Sequence, residues 1–177
     1  MSTISKKICM VGDFGVGKTS LIRRFVERQF SDQYLSTVGV KISRKTVELE
    51  GVKQLDKLTL QLLIWDIEGH TKFKAIAPTY LQGSSGALIV GDMSRQETLE
   101  RIPEHIQLFL SVNPKGLIAI ALNKADLVDE EKLEKLTSKY QFNDYERVLV
   151  TYSTSAKTGV HVDEIFDTLS FKIAETG

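Results

Sequence analysis

Residues 12–19, "GDFGVGKT", place two glycines, a lysine and a hydroxyl in the full G-x-x-x-x-G-K-[ST] spacing. Glycines at those points let backbone N–H groups wrap closely around phosphate oxygens. A helix beginning there adds positive potential. Lys18 can then reach the β- and γ-phosphates, and the Thr19 hydroxyl can ligate Mg²⁺. The residues expected against the nucleotide are Asp13, Phe14, Gly15, Val16, Gly17, Lys18, Thr19 and Ser20. This chemistry calls for a nucleoside triphosphate and leaves its base open.

Two later stretches bear on the base. "NKAD", 123–126, ends the apolar run "LIAIAL", and "TSAK", 154–157, ends the next one. Guanine presents N1–H and N2–H side by side, and the Asp126 carboxylate can accept both. Adenine has no such pair and would leave the carboxylate unsatisfied. Alone, "NKAD" reads equally well as a helix start with Asp126 as N-cap. With "TSAK" downstream and the phosphate loop upstream, guanine is the better reading. A third stretch, "WDIEGH" at 65–70, has an aspartate at a strand end and a glycine three residues on, as a phosphate-sensing turn would. Its Glu68 and His70 leave open a working hydrolase, a slow switch or an ordinary turn.

The elements that must position these motifs follow from periodicity. Strand-length apolar runs recur at "KKICMVG", "LTLQLLIWDI", "GALIVGDM", "GLIAIALNK" and "RVLVTYST". Helical spacing follows at 18–28, at 97–112 with Pro103 kinking or restarting the helix, and at 162–174 behind Asp163. Alternation of this kind predicts a mostly parallel sheet covered on both faces. "KISRKTVELEG" and "LDKLTLQLLIWDI" have no helix between them and are expected to pair as an antiparallel hairpin. In such an open sheet, ligands bind beyond the carboxyl ends of the strands, where the motifs fall.

Composition excludes several classes. A chain of 177 residues with 42% hydrophobic and 26% charged residues fits one domain over 1–177. Its 23 basic and 23 acidic residues create no global field for nucleic acid or an anionic membrane. The single cysteine, Cys9, excludes an internal disulfide and reads as a buried strand position. No apolar run approaches the ~20 residues of a transmembrane helix.

Together the motifs resemble the Ras-like small GTPases over nearly the whole chain, and the Rab branch most closely. "GDFGVGKT" is similar to the family's first nucleotide motif, "YLSTVGVKI" to its first switch and "WDIEGH" to its second. "NKAD" resembles its base motif, "TSAK" its final loop, and "PTYLQGSSGALIVGDMS" the Rab stretch after the second switch. The resemblance implies a P-loop NTPase three-layer α/β fold: a mostly parallel six-stranded sheet, one antiparallel edge hairpin, and helices on both faces. It implies that Phe30 packs edge-on against guanine, Tyr34 closes over the phosphates, and Thr37 meets both Mg²⁺ and the γ-phosphate. Asp66 would hold Mg²⁺ through water, and Gly69 would donate its N–H to the γ-phosphate. Asn123 and Asp126 would read guanine while Lys124 braces the base and the phosphate loop. Ser155 and Ala156 would line the base, with the Ala156 N–H on the guanine carbonyl and Lys157 on the opposite face. His70 would stand at the water-orienting position, making Lys18, Thr37, Gly69 and His70 the catalytic set. GTP/GDP and Mg²⁺ are the cofactors implied.

A γ-phosphate touched by Thr37 and Gly69 would order two loops that relax after its loss, so that partners select the GTP form. The resemblance maps an apolar effector surface to Ile42, Trp65 and Tyr80, with Ile42 in place of an aromatic. It implies a monomer served by an exchange factor and a GTPase-activating protein. The expected location is cytoplasmic, with peripheral membrane association only through a further tail or a partner, because "IAETG" offers no cysteine for prenylation.

Four features depart from the pattern. Phe14 stands where the family has a small residue, and its ring is expected to crowd an inserted arginine finger, worth ~10³–10⁵ in rate. His70 replaces glutamine, although translational GTPases use histidine after a similar turn. Glu68 replaces alanine, adding charge beside Mg²⁺ and phosphate, and must point away, pair with a cation such as Lys72 or Lys74, or repel nucleotide. The segment around "EGVKQLDK" is several residues longer than usual and reads as an extended surface hairpin tip, or as a dedicated docking loop. Slow hydrolysis is therefore expected, with a GTP-bound scaffold as the alternative.

Overall fold

The computed structural model describes residues 2–30, 40–67 and 77–176. Its sheet contains β1 (Ser2–Gly12), β2 (Val40–Leu49), β3 (Leu58–Ile67), β4 (Gly86–Asp92), β5 (Leu117–Asn123) and β6 (Val148–Ser153). They lie in the order β2-β3-β1-β4-β5-β6. Only the β2–β3 pair is antiparallel, with Ile42 opposite Trp65. The other pairs are parallel, as the alternation of strands and helices predicts.

The period of two along each strand builds two cores. Ile8 and Met10 of β1, Leu60, Leu62 and Ile64 of β3, and Leu88 and Val90 of β4 face one side. They are covered by Leu21, Ile22 and Phe25 of α1 (Lys18–Glu27) and by Ile165, Phe166, Leu169 and Ile173 of α6 (Val162–Thr176). Phe25 and Phe166 stack with centroids 4.2 Å apart, tying the helix that leaves the phosphate loop to the last helix. Cys9, Ala87, Ile89, Ile118 and Ile120 face the other side, against Leu99 of α3 (Gln96–Glu100) and Ile102, Ile106 and Phe109 of α4 (Ile102–Val112). Residues of β4 and β5 are buried throughout, as strands covered on both faces must be. The short helix α2 (Ala77–Leu81) precedes β4.

The helical stretch expected over 97–112 is divided. A break at Arg101 separates α3 from α4, and Pro103 sits in the first turn of α4, where its missing N–H costs no intrahelical bond. Helix α5 (Glu130–Lys139), which the periodicity does not reveal, takes Asp129 as its N-cap, accepting from Lys132 N at 2.8 Å. Asp126 instead lies within a single 3₁₀ turn, Ala125–Leu127.

The long hairpin tip is less superficial than its polarity suggests. Lys53 and Gln54 both take left-handed backbone angles (φ 50° and 65°) between a Val52–Leu55 bridge, closing a two-residue turn without the usual glycine. Each such residue costs about 1 kcal/mol. Val52 is fully buried in the α1/α6 core, and that burial offsets the strain. At the sheet edge, β2 exposes Lys41, Arg44 and Glu48.

Candidate nucleotide-binding site

The carboxyl ends of β1, β3, β4 and β5 bring Gly12, Asp66, Asp92 and Asn123 to one rim of the sheet. β1 pairs with β3 on one side and β4 on the other, so the rim opens at a switch point of the topology. The loop from β1 to α1 crosses it. Glycine is required twice in that loop: a Cβ on Gly12 would lie 2.4 Å from the Val90 carbonyl oxygen, and one on Gly17 would lie 2.3 Å from Asn123 Nδ2. Gly17 also has φ of 102°, which side chains resist.

Every carbonyl of this loop is engaged. Lys18 Nζ donates to Gly12 O and Asp13 O, each at 2.9 Å. Arg95 Nη2 donates to Phe14 O at 2.7 Å, Lys124 Nζ to Gly15 O at 2.8 Å, and Asn123 Nδ2 to Val16 O at 3.0 Å. Gly17 O accepts from Leu21 N at 2.9 Å, the first turn of α1. Donors thus reach the loop from α1, from the start of α3 and from the end of β5. Half-buried Ser20 lies in that first turn, and the Phe14 ring is 40% exposed.

Beside the loop, Thr19 Oγ1 donates to buried Asp66 Oδ2 at 2.5 Å. Two hard oxygen donors side by side suit Mg²⁺, which takes one or two protein ligands and completes its shell with phosphate and water. Among the described residues there is no group of three or more His, Cys, Asp or Glu that could hold a metal ion.

At the other end of the rim, buried Asn123 accepts from Thr154 Oγ1 at 3.0 Å while donating to the phosphate loop. Lys124, held at φ 63°, also pairs with Asp92 Oδ2 at 3.0 Å. Asp126 is exposed, and its Oδ1 accepts from Ser155 Oγ at 2.7 Å. Ala156 is buried and Lys157 is exposed. The carbonyls of both accept from Arg24 of α1, at 2.7 Å for Ala156. Phe30, beyond the left-handed Arg28 that ends α1, is 36% exposed. Tyr34, Thr37, Glu68, Gly69, His70, Lys72 and Lys74 lie outside the described residues.

Several contacts of this rim go beyond what the motifs announce. Asp92 accepts from Ser94 N at 2.8 Å, Ser94 Oγ at 2.6 Å and Arg95 Nε at 3.0 Å, besides Lys124. Burial alone would push its carboxyl up, but the donors from Ser94, Lys124 and Arg95 outweigh that and hold it below the ordinary carboxylate range. Its place at a strand's carboxyl end was the signal that could have found it. Asp13 accepts from Arg101 Nε and, at 2.9 Å, from His105 Nε2. Here too burial pushes upward, while His105 and Arg101 bring the carboxyl below its usual value.

The apolar residues expected between the switches are contiguous. Trp65 and Tyr80 lie with ring centroids 6.4 Å apart, and Ile42 pairs across from Trp65 with 47% exposure. Lys7 Nζ stands 3.6 Å from the Trp65 ring centroid while donating to Tyr80 O at 2.6 Å. Burial lowers the Lys7 ammonium, with Cys9 opposing that shift.

A sheet of this order, with a glycine–lysine–threonine loop at its switch point, defines a P-loop nucleotide-binding protein. Comparison with known proteins then gives the branch. The model of the Ras family matches residues 7–175. Human Ras-related protein Rab-22A is 34% identical over 171 residues, 96% of this chain and 84% of that protein. Ras-related protein Rab-13 of Rattus norvegicus is 34% identical over 170 residues, covering 93% and 77%. GTP-binding protein ypt5 of Schizosaccharomyces pombe is 34% identical over 173 residues, covering 97% and 79%. The chain belongs to the Ras family, on its Rab branch. It is a GTP-binding small GTPase of the switch type; the family binds GTP and GDP with Mg²⁺, and Rab-like members act through effectors, exchange factors and activating proteins. No helix among the described residues is long and apolar enough to cross a membrane.

Proposed function

We propose that this protein is a slow GTP hydrolase whose GTP and GDP forms are distinguished by cytoplasmic partners. One observation carries the reading: the Lys18 loop, the Thr19–Asp66 pair and the Asp126–Ser155 pair share one rim. Lys18 would leave its loop carbonyls in part to meet the β- and γ-phosphates. Asp126 would accept from guanine N1–H and N2–H, with Ser155 fixing the carboxylate's rotation. Asn123 and Lys124 would hold the base motif to the phosphate loop. Ala156 N–H, the Lys157 stem and Phe30 would enclose guanine.

Thr19 and Asp66, with Thr37, would hold Mg²⁺, which when bound neutralises the charge developing on the phosphates. Gly69 and Tyr34 would close on the γ-phosphate side, and His70 would orient the attacking water. Phosphoryl transfer depends on positioning and electrostatics, so His70 for glutamine and Phe14 for a small residue both lower the rate. Partners would meet Ile42, Trp65 and Tyr80, whose contiguous apolar surface suits effector contact in a monomer.

Single-turnover hydrolysis tests this. Protein loaded with GTP and Mg²⁺ is expected to convert slowly to bound GDP, and His70→Gln to convert faster. Bound GTP that persists over hours in both proteins would replace hydrolysis with a GTP-bound scaffold.

A further inference from the structure

The second residue of the phosphate loop is an acid, which is electrostatically wrong for a loop that receives a triphosphate. Asp13 is only 15% exposed, so water cannot fully screen its charge. Each carboxylate oxygen has a donor from outside the loop. Arg101, at the junction of α3 and α4, takes Oδ2, and His105, one turn into α4, lies 2.9 Å from Oδ1. A carboxylate only accepts, so the ring nitrogen facing it carries a proton. Arg95, from the start of α3, holds the neighbouring Phe14 carbonyl at 2.7 Å. One helical segment therefore grips two consecutive loop residues.

We propose that Arg101 and His105 are positioning residues for nucleotide binding: they neutralise Asp13 and keep its carboxylate turned out of the phosphate loop. Removing the donors leaves a partly buried carboxylate uncompensated beside bound phosphate, so the penalty falls on nucleotide affinity beyond any loss of packing. Arg95 keeps the adjoining peptide in place, which fixes where the Phe14 ring stands. This inference rests on nucleotide seating at the Lys18 loop, and binding to the wild-type chain checks that premise separately.

The test is a double-mutant cycle on GDP dissociation from Mg²⁺-loaded protein, with melting temperatures recorded in parallel. Arg101→Ala is expected to speed release about tenfold, and His105→Gln somewhat less. Adding Asp13→Asn to Arg101→Ala should recover most of that loss, because the uncompensated charge is gone. The loss should also shrink as ionic strength rises. If Arg101→Ala folds poorly, Arg101→Lys combined with His105→Gln provides the same comparison while retaining one charge. Equal losses in Asp13→Asn, Arg101→Ala and their combination, unaffected by salt, would reduce the contact to a structural tie and overturn the proposal. Wild-type protein that binds no guanine nucleotide would instead overturn the reading beneath it.

Discussion

The two ends of the nucleotide rim orient their key residues by different means. The phosphate end is held by charge: Lys18, Arg95 and Lys124 reach loop carbonyls, and Arg101 with His105 grips Asp13. At the base end Arg24 holds the backbone of Ala156 and Lys157, but the two residues that would read the base, Asn123 and Asp126, are oriented by the uncharged hydroxyls of Thr154 and Ser155, and the Asp126 carboxylate stays exposed. Phosphate is common to every nucleotide, so a charged cradle supplies affinity without choice. A base differs from another by where its donors lie, so directional hydrogen bonds supply the choice.

The comparison breaks most sharply at Lys18. Replacing Lys18 by alanine removes the loop side chain proposed to meet two phosphates, and affinity for GTP and GDP alike is expected to fall about 10³-fold by equilibrium binding. Selectivity among bases should be unchanged; a shift in base preference would merge the two ends. Asp126→Asn is the converse and smaller change. It should cost about 10²-fold in GTP affinity, and a purine carrying a carbonyl in place of the 2-amino group should bind better than GTP. Competition binding with that analogue measures it, and equal losses for both purines would show that Asp126 does not read the base.

The smallest expected effect is on stability. The Asp92 carboxyl is depressed in the fold, so it contributes stability at any pH above its unfolded value. That contribution is lost as pH falls through the folded value, below the ordinary carboxylate range. Asp92→Asn should lower the melting temperature by a few degrees at neutral pH, with the gap to wild type closing on the acid side. A gap that stays constant into acid would mean that the charge of Asp92 contributes nothing.

How much of this was readable from the chain depends on distance along it. The phosphate loop and "NKAD" are contiguous, so residue type and spacing announce them, and the strand runs announce a parallel sheet with one antiparallel hairpin. The residues that hold the loop lie far away. Arg95 is 81 positions from Phe14 and His105 is 92 from Asp13. In the sequence Arg95 reads as an ordinary polar residue before a helix and His105 as one on a helix face, and only the packing of α3 and α4 against β4 brings them to the loop. Arg24 is hidden likewise, since its reach to the Ala156 carbonyl depends on α1 lying near the last loop. Val52 misled in the other direction: a polar neighbourhood suggested surface, while the left-handed pair at Lys53 and Gln54 returns its side chain to the core. Ser155 was legible as part of "TSAK", but its hold on Asp126 was not, because it requires two strand ends to meet.

The outer strand β2 carries one more consequence. A sheet edge is a template on which a second chain can add hydrogen-bonded backbone and begin a growing aggregate. Lys41, Arg44 and Glu48 stand exposed along this edge, so an approaching identical edge must strip water from charged side chains before its backbone can align. Colloidal behaviour should follow: the protein stays dispersed when concentrated, and replacing those three charges with apolar residues should remove this protection.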